Sequence, residues 1–218
     1  MKKGHLVYGV GINDADYPVY KTEKVNGKRK IVWQCPAYKT WNNMFRRAYD
    51  QLYKAKYPTY VGVTVCKDWH LFSNFKIWWD AQPITNGLNL DKDLKIYGNK
   101  EYSPQSCVFV PDQVNALFTD RGNARGDLPL GVTYRKLTGK YMAQIQLGLG
   151  RGHKNLGSYT TIESAHKAWQ VAKMQVIKDV LNWYEKQGCY DFSVANALQE
   201  RISILESDLA VSKETVKL

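Results

Sequence analysis

The chain has 218 residues, with 31 Lys+Arg against 20 Asp+Glu, a formal net charge of +11 and a pI of about 9.4. That length allows one large or two small cores, and the charge favours a nucleic acid or another anionic polymer as partner. No stretch approaches the roughly eighteen apolar residues of a membrane span, and MKKGHLVYGVG has neither the apolar run nor the cleavage site of a secretion signal, so neither a membrane protein nor an evidently secreted one is expected.

From the N-terminus, Pro18 to Val25 and Lys28 to Cys35 flank Asn26-Gly27, the dipeptide that best accepts a tight hairpin turn, which predicts a basic β-ribbon. In YKTWNNMFRRAYD, Trp41, Met44, Phe45, Ala48 and Tyr49 fall on one helical face and Asn42, Asn43, Arg46, Arg47 and Asp50 on the other. VCKDWHLFSNFKIWW spaces Trp69, Phe72, Phe75 and Trp79 three to four apart, so a second packed helix is expected over Val65 to Trp79. His70 within it could serve as a general base, but a lone histidine is more often structural or simply exposed. Cys35, Cys66, Cys107 and Cys189 are far apart, with no Cys-x-x-Cys pair, which fits reduced thiols better than a disulfide frame or a zinc site.

Leu88 to Asn115 holds the candidate chemistry. LNLDKDL reads as a short strand ending in carboxylates, with Asp91 and Asp93 on one strand face. YGNKEYSP reads as a loop and QSCVFV as a second strand, and Pro111 opens a helix with Asn115 one turn inside. TDRGNARGDLP then reads as a linker carrying Arg121 and Arg125. Beyond it, Tyr141, Ala143, Ile145 and Leu147 alternate with Met142, Gln144, Gln146 and Gly148, a half-buried strand. Thr160 to Glu163 supplies a capping box for a long helix whose apolar stripe is Ala165, Trp169, Ala172, Val176, Val180 and Trp183, with Gly188 as its stop. Leu198, Ile202, Leu205 and Leu209 mark a last amphipathic helix, packed on this module or on another subunit.

Charge is uneven along the chain. Lys21 to Lys56 carries ten basic residues against two acidic, and Asp120 to Leu156 seven against two. Asp179 to Leu218 carries four against seven, so the tail is expected to stay off an anionic partner.

Gly131-Val132, Tyr141 to Ile145, Leu156 to Tyr159 and Thr161 to Ala165 resemble the Apetala-type (ethylene-response-factor) DNA-binding domain. Residues about 38 to 172 as a whole resemble phage-type HNH homing endonucleases with such a domain appended. The likeness rests on Trp41, Met44, Arg47 and Tyr49; on Val65-Cys66 with Trp69 and Phe72; on Leu90 to Asp93; on Tyr102-Ser103-Pro104 with Cys107, Phe109, Val110 and Pro111; and on Asn115.

The resemblance implies an α+β chain: a ββα-metal (HNH-like) finger with flanking helices, then a three-stranded antiparallel sheet packed on a long helix. The corresponding segments are a basic hairpin region at 1–37, a nuclease domain at 38–119, a linker at 120–130, a DNA-binding domain at 131–188 and a C-terminal helix and tail at 189–218. It implies double-stranded DNA as partner, no organic cofactor, no membrane, and the cytoplasm of a phage-infected bacterial host as location. By strand parity Thr133, Arg135, Gln144, Gln146, His153 and Asn155 would face the groove, with Arg46, Arg47, Arg121 and Arg125 as phosphate contacts.

The histidine of the HNH pattern is replaced here by Asp91, Lys92 and Asp93. Asp91, Asp93 and Asn115 would hold Mg²⁺, with an aspartate or Lys92 assisting proton transfer. The alternative is a catalytically inactive, repressor-like descendant that still binds a specific site.

Overall fold

The computed structural model describes residues 6–118 and 126–218. It divides into two compact units, Met1–Phe109 and Val110–Leu218. The chain is mixed α and β, with a three-stranded antiparallel sheet in its second half. Among the described residues no helix is long and apolar enough to cross a membrane.

In the first unit, β1 (Tyr20–Val25) and β2 (Lys28–Gln34) form the expected hairpin. Asn26 and Gly27 take φ of 51° and 74°, the left-handed pair that a tight two-residue turn requires. Helix α1 (Pro36–Tyr49) starts on a proline whose missing N–H costs nothing there. It buries Ala37, Tyr38, Trp41, Met44, Phe45 and Ala48, whereas Tyr49, on the face that the spacing predicts, is only half-buried. The Trp41 indole N–H donates to the Trp69 carbonyl at 2.7 Å, so its one polar atom is satisfied inside the core. Gly11 lies against the same ring: a Cβ there would sit 2.8 Å from Trp41 Cη2. After α1 comes the short α2 (Gln51–Lys56), capped by the Asp50 carboxylate.

Val65 to Trp79 is not one helix. A 3₁₀ turn over Lys67–His70 is separated at Leu71 from α3 (Phe72–Asp80). The break has a tertiary cause. Ile12 N–H donates to the His70 carbonyl at 2.7 Å and its own carbonyl accepts from Phe72 N–H at 3.0 Å, so a distant segment occupies the backbone groups that a continuous helix would use. Asp14 then accepts from the Ser73 N–H and hydroxyl at the head of α3. His70 is structural: its Nε2 lies 3.1 Å from the Val65 carbonyl and its ring packs edge-on to Phe45.

β3 (Thr64–Val65) pairs in parallel with β5 (Glu101–Tyr102), and β4 (Asn89–Asp91) pairs with β6 (Val108–Val110). The short α4 (Asp112–Asn115) follows, with Pro111 as its N-cap rather than its first residue. The four cysteines are free thiols.

In the second unit β7 (Val132–Arg135), β8 (Lys140–Gln146) and β9 (His153–Tyr159) form the antiparallel sheet, and α5 (Ile162–Tyr184) packs on it. Val132, Ala143 and Ala165 form the buried seam, closed by Tyr141, Leu156 and Tyr159. The cap falls one residue later than the capping box predicts. Thr161, not Thr160, is the N-cap, and its hydroxyl accepts from Ser164 N–H at 3.2 Å.

Nor does Gly188 end the helix, which stops at Tyr184. The Tyr184 hydroxyl accepts from Asp191 N–H and donates to the Cys189 carbonyl, both at 2.9 Å, so the chain turns around it. Asp191 then caps α6 (Phe192–Ala210).

The burial on α5 is wider than the predicted stripe. His166, Gln170, Ile177 and Tyr184 are buried as well, because α6 packs on this helix within the same unit. Polar members of that second face are satisfied by the tail. His166 Nδ1 donates to the Leu130 carbonyl and Nε2 accepts from Thr215 N–H, both at 3.0 Å. Gln170 donates to the Thr215 hydroxyl at 2.9 Å, which in turn donates to Asp208 at 2.7 Å.

Candidate nucleic-acid interface and acidic turn

Two places hold most of the candidate residues, one in each unit. The first is the face of the β7–β8–β9 sheet turned away from α5. Cross-strand register pairs Arg135 with Lys140, Thr133 with Met142, Gln144 with Asn155, and Gln146 with His153. Arg135, Gln144, Gln146, His153 and Asn155 are exposed and Thr133 is half-buried.

Lys140 belongs to this face and was missed, although its even parity with Gln144 on β8 signals it. It stands directly opposite Arg135, an arrangement of like charges that destabilises a sheet unless something anionic relieves it. Met142 lies on the same face yet is 6% exposed, because its neighbours cover it. The Gln144 amide donates to its sulfur at 3.5 Å and the Asn155 amide at 3.4 Å. Amide pairs such as Gln144 with Asn155 have the donor and acceptor pattern that reads adenine in a major groove.

The second place is the turn after β4. Asp91 ends that strand and Asp93 lies beyond it in a bend, so the two do not share a strand face as expected. Asp91 Oδ1 accepts from Asp93 N–H at 2.9 Å and Leu94 N–H at 2.7 Å, closing a turn of the kind that Asp side chains favour. Lys92 is buried, its ammonium 2.8 Å from Asp93 Oδ2 and over the Tyr102 ring. The Asn99 amide ties the loop by donating to the Lys92 and Glu101 carbonyls.

Burial, and then the neighbouring Asp93 charge, push the Asp91 carboxyl above the usual carboxylate range, while the two backbone N–H groups oppose that shift. Burial likewise raises the Cys107 thiol to about 12, so it is no nucleophile at neutral pH.

Arg47 is half-buried, 5.8 Å from the Tyr60 ring centroid and hydrogen-bonded to the Tyr102 hydroxyl. Burial works against its charge, but these phenols outweigh that and hold the guanidinium protonated. Arg46 is exposed beside Asp50, at 3.8 Å, and over the Tyr53 ring. Asn115 is the exposed last residue of α4, in the second unit. Arg121 and Arg125 lie outside the described residues, as does 120–125 of the expected linker.

Among the described residues no group of three or more His, Cys, Asp and Glu side chains converges as a metal set. The Asp91–Asp93 pair nevertheless has the hard oxygen chemistry that Mg²⁺ takes, and its mutual repulsion is what a cation would relieve.

Compared with protein-family profiles, curated proteins and solved structures, the chain matches none.

Proposed function

We propose that the protein is a site-specific DNA endonuclease of the HNH homing type, which reads duplex DNA with the outer face of β7–β8–β9. The observation that carries the reading is that face: amides and an imidazole in facing pairs at one end, Arg135 opposite Lys140 at the other. Facing amides suit base edges, and facing cations suit the phosphates beside them.

On this reading hydrolysis belongs to the Asp91 turn, which follows β4; the segment expected as a loop between β4 and β6 contains the short β5. Asp91 and Asp93 would hold Mg²⁺. A bound ion would supply Lewis acidity at a phosphate. The chain's own contribution is positional: Lys92 orients Asp93, and the turn-closing bonds hold Asp91. The four free thiols suit the reducing cytoplasm of an infected bacterial host.

A second reading, a non-catalytic repressor-like binder, is favoured by those same bonds. Asp91 Oδ1 already closes a turn and Lys92 already neutralises Asp93.

Asp91→Asn separates the two. Asparagine keeps the Oδ1 acceptor but removes a charge whose folded pKa is raised. Such a group costs stability while ionised, and the cost fades as pH falls through its folded pKa. At neutral pH the variant is therefore expected to melt at or above the wild-type temperature, with the difference closing in acid. Asp91→Ala loses the turn bonds and about 1–2 kcal/mol.

Duplexes selected from a random pool by binding, then incubated with Mg²⁺, should be cut by wild type and bound but not cut by Asp91→Asn. Uncut wild-type complexes on a selected target would leave the repressor reading. Failure to select any duplex would overturn both.

A further inference from the structure

The β1–β2 hairpin is a second structural element that calls for a partner. Its base is anchored where Cys35 N–H donates to the Val19 carbonyl at 2.8 Å, both residues being buried. Beyond that point its two strands contact chiefly each other, and of their residues only Val25 and Gln34 are even half-buried. Ile31 is 60% exposed, Tyr20 50%, Val32 48% and Trp33 44%. A two-stranded ribbon alone in water is marginally stable, and this one leaves large apolar side chains open on both of its sides.

The ribbon carries Lys21, Lys24, Lys28, Arg29 and Lys30 against Glu23 alone. Register divides these cations between both sides. Lys21 pairs with Trp33, Glu23 with Lys30 and Val25 with Lys28 on one side, whereas Lys24 pairs with Arg29 on the other, alongside Tyr20 and Ile31. Lys21 also lies 5.8 Å from the Trp33 ring centroid, which holds that indole beside a cation.

We infer that this hairpin is a DNA-binding arm that enters the major groove of duplex DNA. A flat acidic protein or lipid surface would neutralise one side of the ribbon and leave the other unpaired. A groove has two walls of phosphate, and a ribbon basic on both sides meets both at once. The major groove is about 12 Å wide and admits a two-stranded ribbon. Strands of this length reach roughly 20 Å, enough to follow the groove for several base pairs. Lys24–Arg29 and Lys28–Lys30 near the tip would contact phosphates, with Trp33 and Ile31 against sugars and thymine methyls.

The inference rests on the DNA-binding reading above, and the test separates the two. The full chain is compared with Lys24→Ala/Lys28→Ala/Arg29→Ala/Lys30→Ala and with Gln144→Ala/Gln146→Ala, on selected and unselected duplexes across a salt series. Because the four hairpin positions are exposed, circular dichroism and melting should be unchanged.

The hairpin variant should bind both duplexes about 10²–10³-fold more weakly at moderate salt, with a log–log salt slope shallower by about 2–4. It should keep its preference for the selected sequence, and hydroxyl-radical footprints should lose a protected block at one flank. Unchanged affinity and slope in the hairpin variant, with preference lost in the glutamine variant, would overturn the arm while leaving the sheet reading intact. No wild-type binding to any duplex would overturn the sheet reading. Hairpin-dependent binding to anionic phosphatidylserine vesicles in place of duplex would overturn the arm.

Discussion

Gly131→Ala is expected to destabilise the second unit by about 3 kcal/mol, lowering its melting temperature by about 10 °C or more. Two costs add. Gly131 takes φ of 77°, where an L side chain is strained, and a Cβ there would lie 1.8 Å from Trp169 Cδ1. Neither cost can be relaxed cheaply. The Gly131 carbonyl is fixed by Gln144 N–H at 2.9 Å, and Trp169 sits in the buried face of α5. Gly139 is the control. Its φ is 62°, but a Cβ there meets only the Tyr134 hydroxyl at 4.0 Å, so Gly139→Ala should show the conformational cost alone, about 1 kcal/mol. Calorimetry on the full chain compares them, and equal losses at the two sites would refute the packing argument.

The second large effect is a coupling in the first unit. Gly11→Ala alone drives a methyl into the Trp41 ring and should cost about 1–3 kcal/mol. Trp41→Phe alone leaves the buried Trp69 carbonyl without its indole donor, at about 1–3 kcal/mol besides the lost volume. The atoms that the new methyl meets first, Cη2 and Cζ2, do not exist in phenylalanine. The double variant should therefore be more stable than the sum of the singles predicts by about 1 kcal/mol. Strict additivity in denaturant unfolding would show that Gly11 is there for another reason.

Short-range chemistry was readable in the chain where one residue type has one job. Asn26-Gly27 demanded its turn, and the alternation from Tyr141 to Gln146 set the two faces of β8, including the exposure of Gln144 and Gln146. What stayed hidden depended on partners distant in sequence. Leu71 breaks a helical pattern only because Ile12 arrives to bond its neighbours. His166 and Gln170 lie outside the apolar stripe of their helix and are buried because α6 and the Thr215 tail cover them.

At the candidate acidic site the spacing of Asp91 and Asp93 suggested one strand face. The backbone bends between them because the Asp91 carboxylate draws in two N–H groups. Lys140 is a different kind of omission, since parity alone marks it and only its position beside a turn obscured it.

The thioether of Met142 beneath the sheet's outer face bears on how fast that face could exchange partners. Sulfur is a weak acceptor, so the Gln144 and Asn155 amides are parked against it in fixed directions without being strongly bound. A stronger acceptor offered from outside wins them at little enthalpic loss and with most of their rotational freedom already surrendered. Oxidation of that sulfur to the sulfoxide would replace the soft rest by a hard one and make both amides slow to let go.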